Sequence, residues 1–410
     1  MKAQIKANNY LYLGIALFAY INTASANGFR LPEYTAAGTA TSNALVADDS
    51  RISAIAYNPA IMAIYTAPNK ENTHLFSANM VQIKYDTEVT TSSGTSQSTG
   101  QSTFNIPNLF VSSEISDKLS LGFLVHSPFG LETAWPKNTF PPFGGASAVE
   151  INLSRIKMFN TNLNLGYQLS SDTGFAFGIN RYELLDLQFN SHATIIKGSG
   201  DGYGWNAALF SKHDNVAIGL SYRSAVHAHA NGSASTSPVT PIEVDVTFPE
   251  MLTLGVSYAF SDAFKFEFDI EHTGWRVYDN LNIRRSADQS TLTLSTNNWE
   301  DTLTYRISGQ YKIHRQQILF GYAYDETPQP DAYFSARIPG TDRELFSIGY
   351  QYDFGNYQIE AGFLLVKFKN RTFSSSNSYV FGQEPNGTTA YNGTYRSSAT
   401  VLSVGVSTAF

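Results

Sequence analysis

The sequence predicts an all-β fold, a transmembrane antiparallel β-barrel of about fourteen strands with an N-terminal hatch in its lumen. Three observations predict it. Apolar and polar residues alternate with a period of two through long runs. Past the N-terminus no segment is apolar for long enough to form a spanning helix. The composition is rich in aromatics (24 Tyr, 28 Phe) and poor in charge, at 15%. Only helices and closed barrels satisfy their backbone groups inside lipid, so an alternating membrane protein without spanning helices is a barrel. The slightly negative mean hydropathy fits, because each spanning strand is apolar on one face only.

The alternation is explicit in several runs. Leu303, Tyr305, Ile307, Tyr311 and Ile313 share a face opposite Thr304, Arg306, Ser308, Gln310 and Lys312. Leu163, Leu165, Tyr167 and Leu169 oppose Asn164, Gly166 and Gln168, and Phe264, Phe266, Phe268 and Ile270 oppose Lys265, Glu267 and Asp269. Phe346, Ile348, Tyr350, Tyr352 and Phe354 repeat the pattern against Ser347, Gly349, Gln351 and Asp353. Spanning strands need about 9 to 11 residues and soluble ones cluster near about 5 to 6; these runs are of the longer kind. Fourteen such segments run from 74–88 to 396–410, an even number as a bacterial single-chain barrel requires.

Short turns such as Ser170-Ser171-Asp172, Lys212-His213-Asp214 and Ser261-Asp262 are expected at the periplasmic end. Long polar loops, residues 90–102, 277–298 and 370–394, are expected outside. The Ser/Thr/Gly-rich stretch 90–103 has too little apolar content to pack and reads as a mobile loop.

Before the barrel, Lys2 and Lys6, the apolar run Tyr10–Ile21 and Ala24-Ser25-Ala26 form a cleavable signal peptide over residues 1–26, leaving Asn27 as the mature N-terminus. Residues 27–70 do not alternate. Asp48, Asp49 and Ser50 offer capping oxygens before a short helical run, and Asn58-Pro59 ends it, since a residue before proline is pushed out of the α region. A barrel this wide needs filling or conducts water, so this segment is placed in the lumen as a hatch. Residues 71–410 form the barrel.

The net charge of −7 and the absence of a basic stripe exclude the footprint of a nucleic-acid binder. Absent cysteine excludes disulfides and thiolate metal sites. The histidines, including His126, His213, His227 and His229, form no nucleophile elbow and no zinc pair. His227 and His229 share a strand face but lack a third ligand. No cofactor and no catalytic residue are therefore expected. A general porin and, less favoured, an outer-membrane lipid hydrolase stand as the competing readings. Lumen cations such as Arg306 and Lys312 read as partners of acidic side chains before they read as ligands.

Collinear motifs then identify the chain as similar to the FadL family of outer-membrane fatty-acid and hydrocarbon transporters. They are the start NGFRLPEYTAAGTATSNALVADDSRISAIAYNPA, then HSPFGLETAW (126–135), GWNAAL (204–209), SYRSAV (221–226), FPEMLTLGVSY (248–258) and the stretch 305–354. The resemblance implies a hatch-plugged barrel in the outer membrane that imports hydrophobic small molecules passively. Substrate would pass from an external groove to an inner pocket, then out through a gap made by a kink of the third strand. By motif, Phe29 would line the pocket, and Asp48, Asp49, Asn58, Pro59 and Ala60 would belong to the hatch. Gly122, in a third strand placed at 118–127, would tolerate the kink. Where family members place an arginine, the strand GINRYELLDLQF offers Leu184 and Leu185, with Arg181 earlier, which leaves carboxylate recognition open. The final strand, ending in Leu402, Val404, Val406 and Phe410, resembles the signal read by outer-membrane assembly machinery. Membrane lipid and lipopolysaccharide are the expected surroundings.

Overall fold

The computed structural model describes residues 28–65, 74–140 and 148–410. The expected signal peptide (1–26), Asn27 and hatch residues 66–70 lie outside the described residues. Among the described residues, no helix is long and apolar enough to cross a membrane.

Fourteen strands form the wall. They are β1 His74–Thr91, β2 Ser102–Ser116, β3 in two pieces (Leu119–His126 and Leu131–Ala134), β4 Ile151–Ser170, β5 Thr173–Ser191 and β6 Ile196–His213. Then come β7 (Val216–Arg223, Val226–Ala234), β8 (Thr240–Phe248, Met251–Ala259), β9 (Phe264–Thr273, Asn280–Arg285) and β10 (Thr291–Thr296, Thr302–Ile313). β11 Gln316–Asp325, β12 Arg343–Asp353, β13 Tyr357–Phe368 and β14 Gly393–Ala409 complete it. Neighbours in sequence pair antiparallel, and β14 pairs with β1 from Leu75↔Ala409 to Thr91↔Gly393, which closes the barrel and leaves no sheet edge there.

The predicted short turns are tight connections at one end. The long loops differ from expectation. Ser96–Ser98 pairs with Glu88–Thr90 inside the stretch read as an unpacked loop, Arg371–Phe373 pairs with β14, and residues 277–298 contain the β9–β10 hairpin from Asn280 to Thr296. The wall continues beyond the apolar band, and there its polar residues face outward, so polarity alone read as loop.

In the lower barrel the faces are sorted as a membrane requires. Leu163, Leu165, Tyr167 and Leu169 are exposed on the outside of β4, while Asn160, Asn162 and Asn164 are buried in the lumen. Three of the buried amides satisfy one another: Asn162 Nδ2 donates to Asn206 Oδ1 (2.7 Å), Asn206 Nδ2 to Asn164 Oδ1 (2.7 Å) and Asn164 Nδ2 to Asn162 Oδ1 (2.7 Å). Without such partners each would cost about 1–3 kcal/mol.

The hatch, described over residues 28–65, is almost wholly buried. It holds one turn of helix, α1 (Ala36–Ala40), N-capped by Thr35, whose Oγ1 accepts from Gly38 N, and two 3-10 turns, Ile52–Ala56 and Pro59–Ala63. Its irregular backbone finds partners on the wall: Ala47 N donates to Glu267 Oε1 (2.6 Å), Val46 N to Asp269 Oδ2 (3.3 Å), and Ser257 Oγ to Ala47 O (2.8 Å). Buried backbone groups must be paired, and lumen side chains do here what a ladder does elsewhere. The fit is close: a Cβ on Gly219 of β7 would collide with Val46 O.

Candidate functional site

The base of the hatch is held by charge. Asp48 is fully buried; its Oδ1 accepts from Ser50 N (2.9 Å) and Lys265 Nζ (2.9 Å), its Oδ2 from Arg51 Nε (2.7 Å) and Gln310 Nε2 (2.8 Å). Arg51, also fully buried, spreads its other nitrogens over Gln310 (2.5 Å), Gln317 (2.9 Å) and Gln351 (2.7 Å), with Glu360 at 3.8 Å. Burial works to raise the Asp48 carboxyl, but Lys265 and Arg51 outweigh it and hold the group well below the usual carboxylate range. Asp49 adds contacts to Lys212 (2.7 Å) and Lys265 (3.4 Å). One acid–base pair of the hatch thus engages strands β9 to β13.

Asn58 ties the next segment. Its Oδ1 accepts from Ala60 N (3.1 Å), capping the turn that Pro59 begins; its Nδ2 donates to Val46 O (2.8 Å) within the hatch and Leu209 O (3.1 Å) on β6.

At the opposite end of the hatch lies a break in the wall. β2 pairs with β3 only from Leu109↔Val125 downward, and Ser102–Asn108 have no partner on β3. β3 stops at His126 and resumes at Leu131, where it pairs with β4 alone. Pro107, with no N–H to give a ladder, sits just past the last pair. Ser127–Gly130 turns inward, and the hatch takes up its free backbone: Gly130 N donates to Phe29 O (3.0 Å) and Leu31 N to Pro128 O (2.9 Å), with Arg30 opposite Phe129. Arg30 is anchored by a two-pronged pair with Glu271, which also accepts from Arg306 (3.2 Å).

Between break and lumen is a cavity of about 410 Å³, lined by Phe104, Ile106, Leu131, Ile156, Met158 and Phe29 among others. That is within the range of small-molecule sites, roughly 300–1,000 Å³. Behind Phe29 is an aromatic chamber: Trp275 (4.8 Å between ring centroids), Tyr278 (5.4 Å), Trp299 (5.7 Å), Phe129 (5.9 Å) and Phe248 (6.3 Å) surround its ring. Phe29 therefore both borders the cavity and packs the chamber.

The structure gathers some of the sequence candidates and separates others. Asp48, Asp49, Asn58, Pro59 and Ala60 lie in the hatch but do not line the cavity; residues 28–31 and Glu33 do. Gly122 is not the bend: it pairs regularly with Ser112 and Asn164, and its missing side chain makes room for Met62 of the hatch. The interruption falls at Ser127–Gly130, after the histidine that ends β3's first piece. Leu184 is buried in the chamber wall, Leu185 borders the cavity, and Arg181 is on the outer surface near Asp201 (3.7 Å). Arg306 is ion-paired, whereas Lys312 lies exposed beside a turn. His227 and His229 face outward, against Thr247 and Asp245. Sequence reasoning passed over Arg51 and the pair Glu267 and Asp269. Only the alternation placing Glu267 and Asp269 on the lumen face hinted at them.

The geometry is that of a barrel with a segment in its lumen and a β2–β3 ladder that stops short, and known proteins share the fold. Residues 17–410 match the family described as "Outer membrane protein transport protein (OMPP1/FadL/TodX)". The chain belongs to this family. It is 24% identical over 403 residues to a "47 kDa outer membrane protein" of Pasteurella multocida, covering 88% of this chain and 92% of that one. It is 24% identical over 406 residues to a "Long-chain fatty acid transport protein" of Escherichia coli, covering 83% and 87%. Its fold matches the crystal structure of a Pseudomonas aeruginosa FadL homologue (TM-score 0.76, 16% identity, 93% and 99% covered). It also matches that of the P. putida toluene transporter TodX (0.64, 18% identity, 92% and 98% covered). The protein is accordingly a β-barrel of the bacterial outer membrane, in a family of transport proteins.

Proposed function

We propose that the protein imports long-chain fatty acids or related hydrocarbons passively, releasing them sideways through the wall between β2 and β3. The carrying observation is the end of the β2–β3 ladder at Leu109↔Val125, with an apolar cavity behind it closed on the inner side by hatch residues 28–31. Lipopolysaccharide opposes entry of apolar solutes from outside, so a sheltered apolar route is needed. Buried apolar surface gains about 25 cal/mol per Å², so a ligand held in the cavity needs a moving part to release it. Withdrawal of Phe29 from the cavity wall supplies that step. In this reading Asp48, Asp49 and the Asn58-Pro59-Ala60 turn hold the hatch body fixed while its first residues move.

The test uses the chain's lack of cysteine. Arg30 and Phe129 face each other across a bridge flanked by, not joined by, its hydrogen bonds, the pairing in which Cα atoms come about 4.5 Å apart. That is within reach of a disulfide. Cells lacking their own transporter would express Arg30→Cys/Phe129→Cys and be offered labelled oleate and a labelled alkylbenzene. Uptake blocked on oxidation and restored by reductant supports the moving hatch. Equal uptake in both redox states sinks it. A general porin would instead pass ions steadily in planar bilayers.

A further inference from the structure

The rim of the wall opening carries charge, and that charge is unevenly satisfied. Three cations line the cavity: Arg30, Arg343 and Lys157. Arg30 is held by Glu271 in a buried pair, and Arg343 Nε, partly buried, lies 2.6 Å from the buried Asp325 Oδ2. Lys157 differs. It projects from the outer face of β4, its side chain is 52% exposed, and its nearest carboxylate, Glu132, is 4.0 Å away. Glu132 is already taken by Arg155 at 2.7 Å, and Asp186, opposite Lys157 on β5, is turned to Arg155 at 3.1 Å.

We propose that Lys157 receives the carboxylate of an anionic amphiphile while its tail passes through the opening, so that the opening distinguishes acids from neutral hydrocarbons. The inference rests on the sideways release proposed above. A carboxylate drawn into the apolar cavity loses its hydration without compensation, and the two inner arginines are already neutralised. At the rim it keeps part of its water and gains an ammonium partner. The register shift between Lys157 and Met158 assists: opposite it on β5, Leu185 lies between Leu184 and Asp186, paired on either side, and stands half exposed on the cavity wall. Apolar footing for the chain and a cation for its head are thus brought together at one rim. Arginine-for-lysine exchange should preserve this, because the site demands a charge and no particular fork geometry.

The experiment measures uptake of labelled oleate and of labelled oleyl alcohol, chains of equal length, by cells expressing wild type, Lys157→Gln or Lys157→Arg. Barrel assembly is verified by heat-modifiable gel mobility. A half-exposed ion pair supports a drop of about two- to five-fold in oleate uptake at limiting concentration for Lys157→Gln. Oleyl alcohol uptake stays unchanged, and Lys157→Arg restores oleate. The assignment is overturned if oleate uptake is unaffected or if both compounds fall together. If wild type takes up neither compound, the proposed function itself fails; if it takes up both and Lys157→Gln changes neither, only the lysine assignment fails.

Discussion

The lower and upper halves of this barrel are inside out with respect to each other. On β8, Leu252, Leu254, Val256 and Tyr258 face out and Thr253 and Ser257 face in below the interruption at residues 249–250; above it Ile242, Val244, Val246 and Phe248 face in while Glu243 and Asp245 face out. β7 does the same at residues 224–225, passing from outward Ile218 and Leu220 to outward His227 and His229, with Val226, Ala228 and Ala230 turned inward. The outer face at each level follows what surrounds it, lipid below and water or headgroups above. The inner face follows what it holds. The lower lumen is polar and grips the irregular backbone of the hatch; the upper lumen is lined by apolar side chains packed around Phe29, with the cavity of about 410 Å³ at its edge. Phe29 stands where the two meet.

The largest expected effect tests whether polarity below serves anchoring. Asp48→Leu removes the acceptor shared by Arg51 and Lys265 and leaves the buried Arg51 and the partly buried Lys265 with only looser carboxylates, Glu360 at 3.8 Å and Asp49 at 3.4 Å. Breaking a buried ion pair from one side costs about 3–5 kcal/mol. The barrel should still assemble, since its ladders are untouched, but the hatch should become cleavable by added protease, and ion conductance in planar bilayers should rise. A hatch that stays protease-resistant and non-conducting would break the anchoring half of the comparison.

The next effect separates the two levels on one strand. Leu254→Arg, on the lipid-facing band, should lower barrel stability by about 2–4 kcal/mol in denaturant titrations from liposomes. Asp245→Asn, on the same outer face above the interruption, loses only exposed contacts to His229 (2.8 Å) and Arg284 (2.6 Å). It should change stability by less than about 1 kcal/mol. Similar costs at both positions would mean that the apolar band extends higher than the polarity switch indicates.

This switch also explains what the sequence revealed. Period-two alternation is a local property, so strands such as 301–313 and 343–354 and their faces were readable, as was the non-alternating hatch. Residues 277–298 look like a loop in the sequence because the wall there is Asn280, Asn282 and Arg284 outside and Leu281 and Ile283 inside, too short and too polar to resemble a lipid-facing strand. Gly122 suggests a bend in β3 by its conformational freedom, yet it is small to admit Met62. Ser127–Gly130 bends because β2 offers no ladder there and Phe29 and Leu31 do. The ring around Arg51 draws glutamines from β10, β11 and β12 and Glu360 from β13. Such long-range convergence leaves no spacing in the chain.

The smallest effect concerns how firmly the hatch body is joined to the wall near β6. Asn58 performs two separable tasks: its carbonyl oxygen caps the turn Pro59–Ala63, and its amide donates to Val46 O and Leu209 O. Asn58→Ala loses both, and a lost cap with its buried partners left open costs about 1–2 kcal/mol, so amide exchange over residues 58–64 should accelerate roughly 5- to 30-fold. Asn58→Asp keeps the capping acceptor but places a carboxylate against two carbonyls. If the tie to β6 matters more than the cap, Asn58→Asp should loosen the segment at least as much as Asn58→Ala. If Asn58→Asp exchanges as slowly as wild type, the cap is what holds the turn, and the wall contact through Leu209 is incidental.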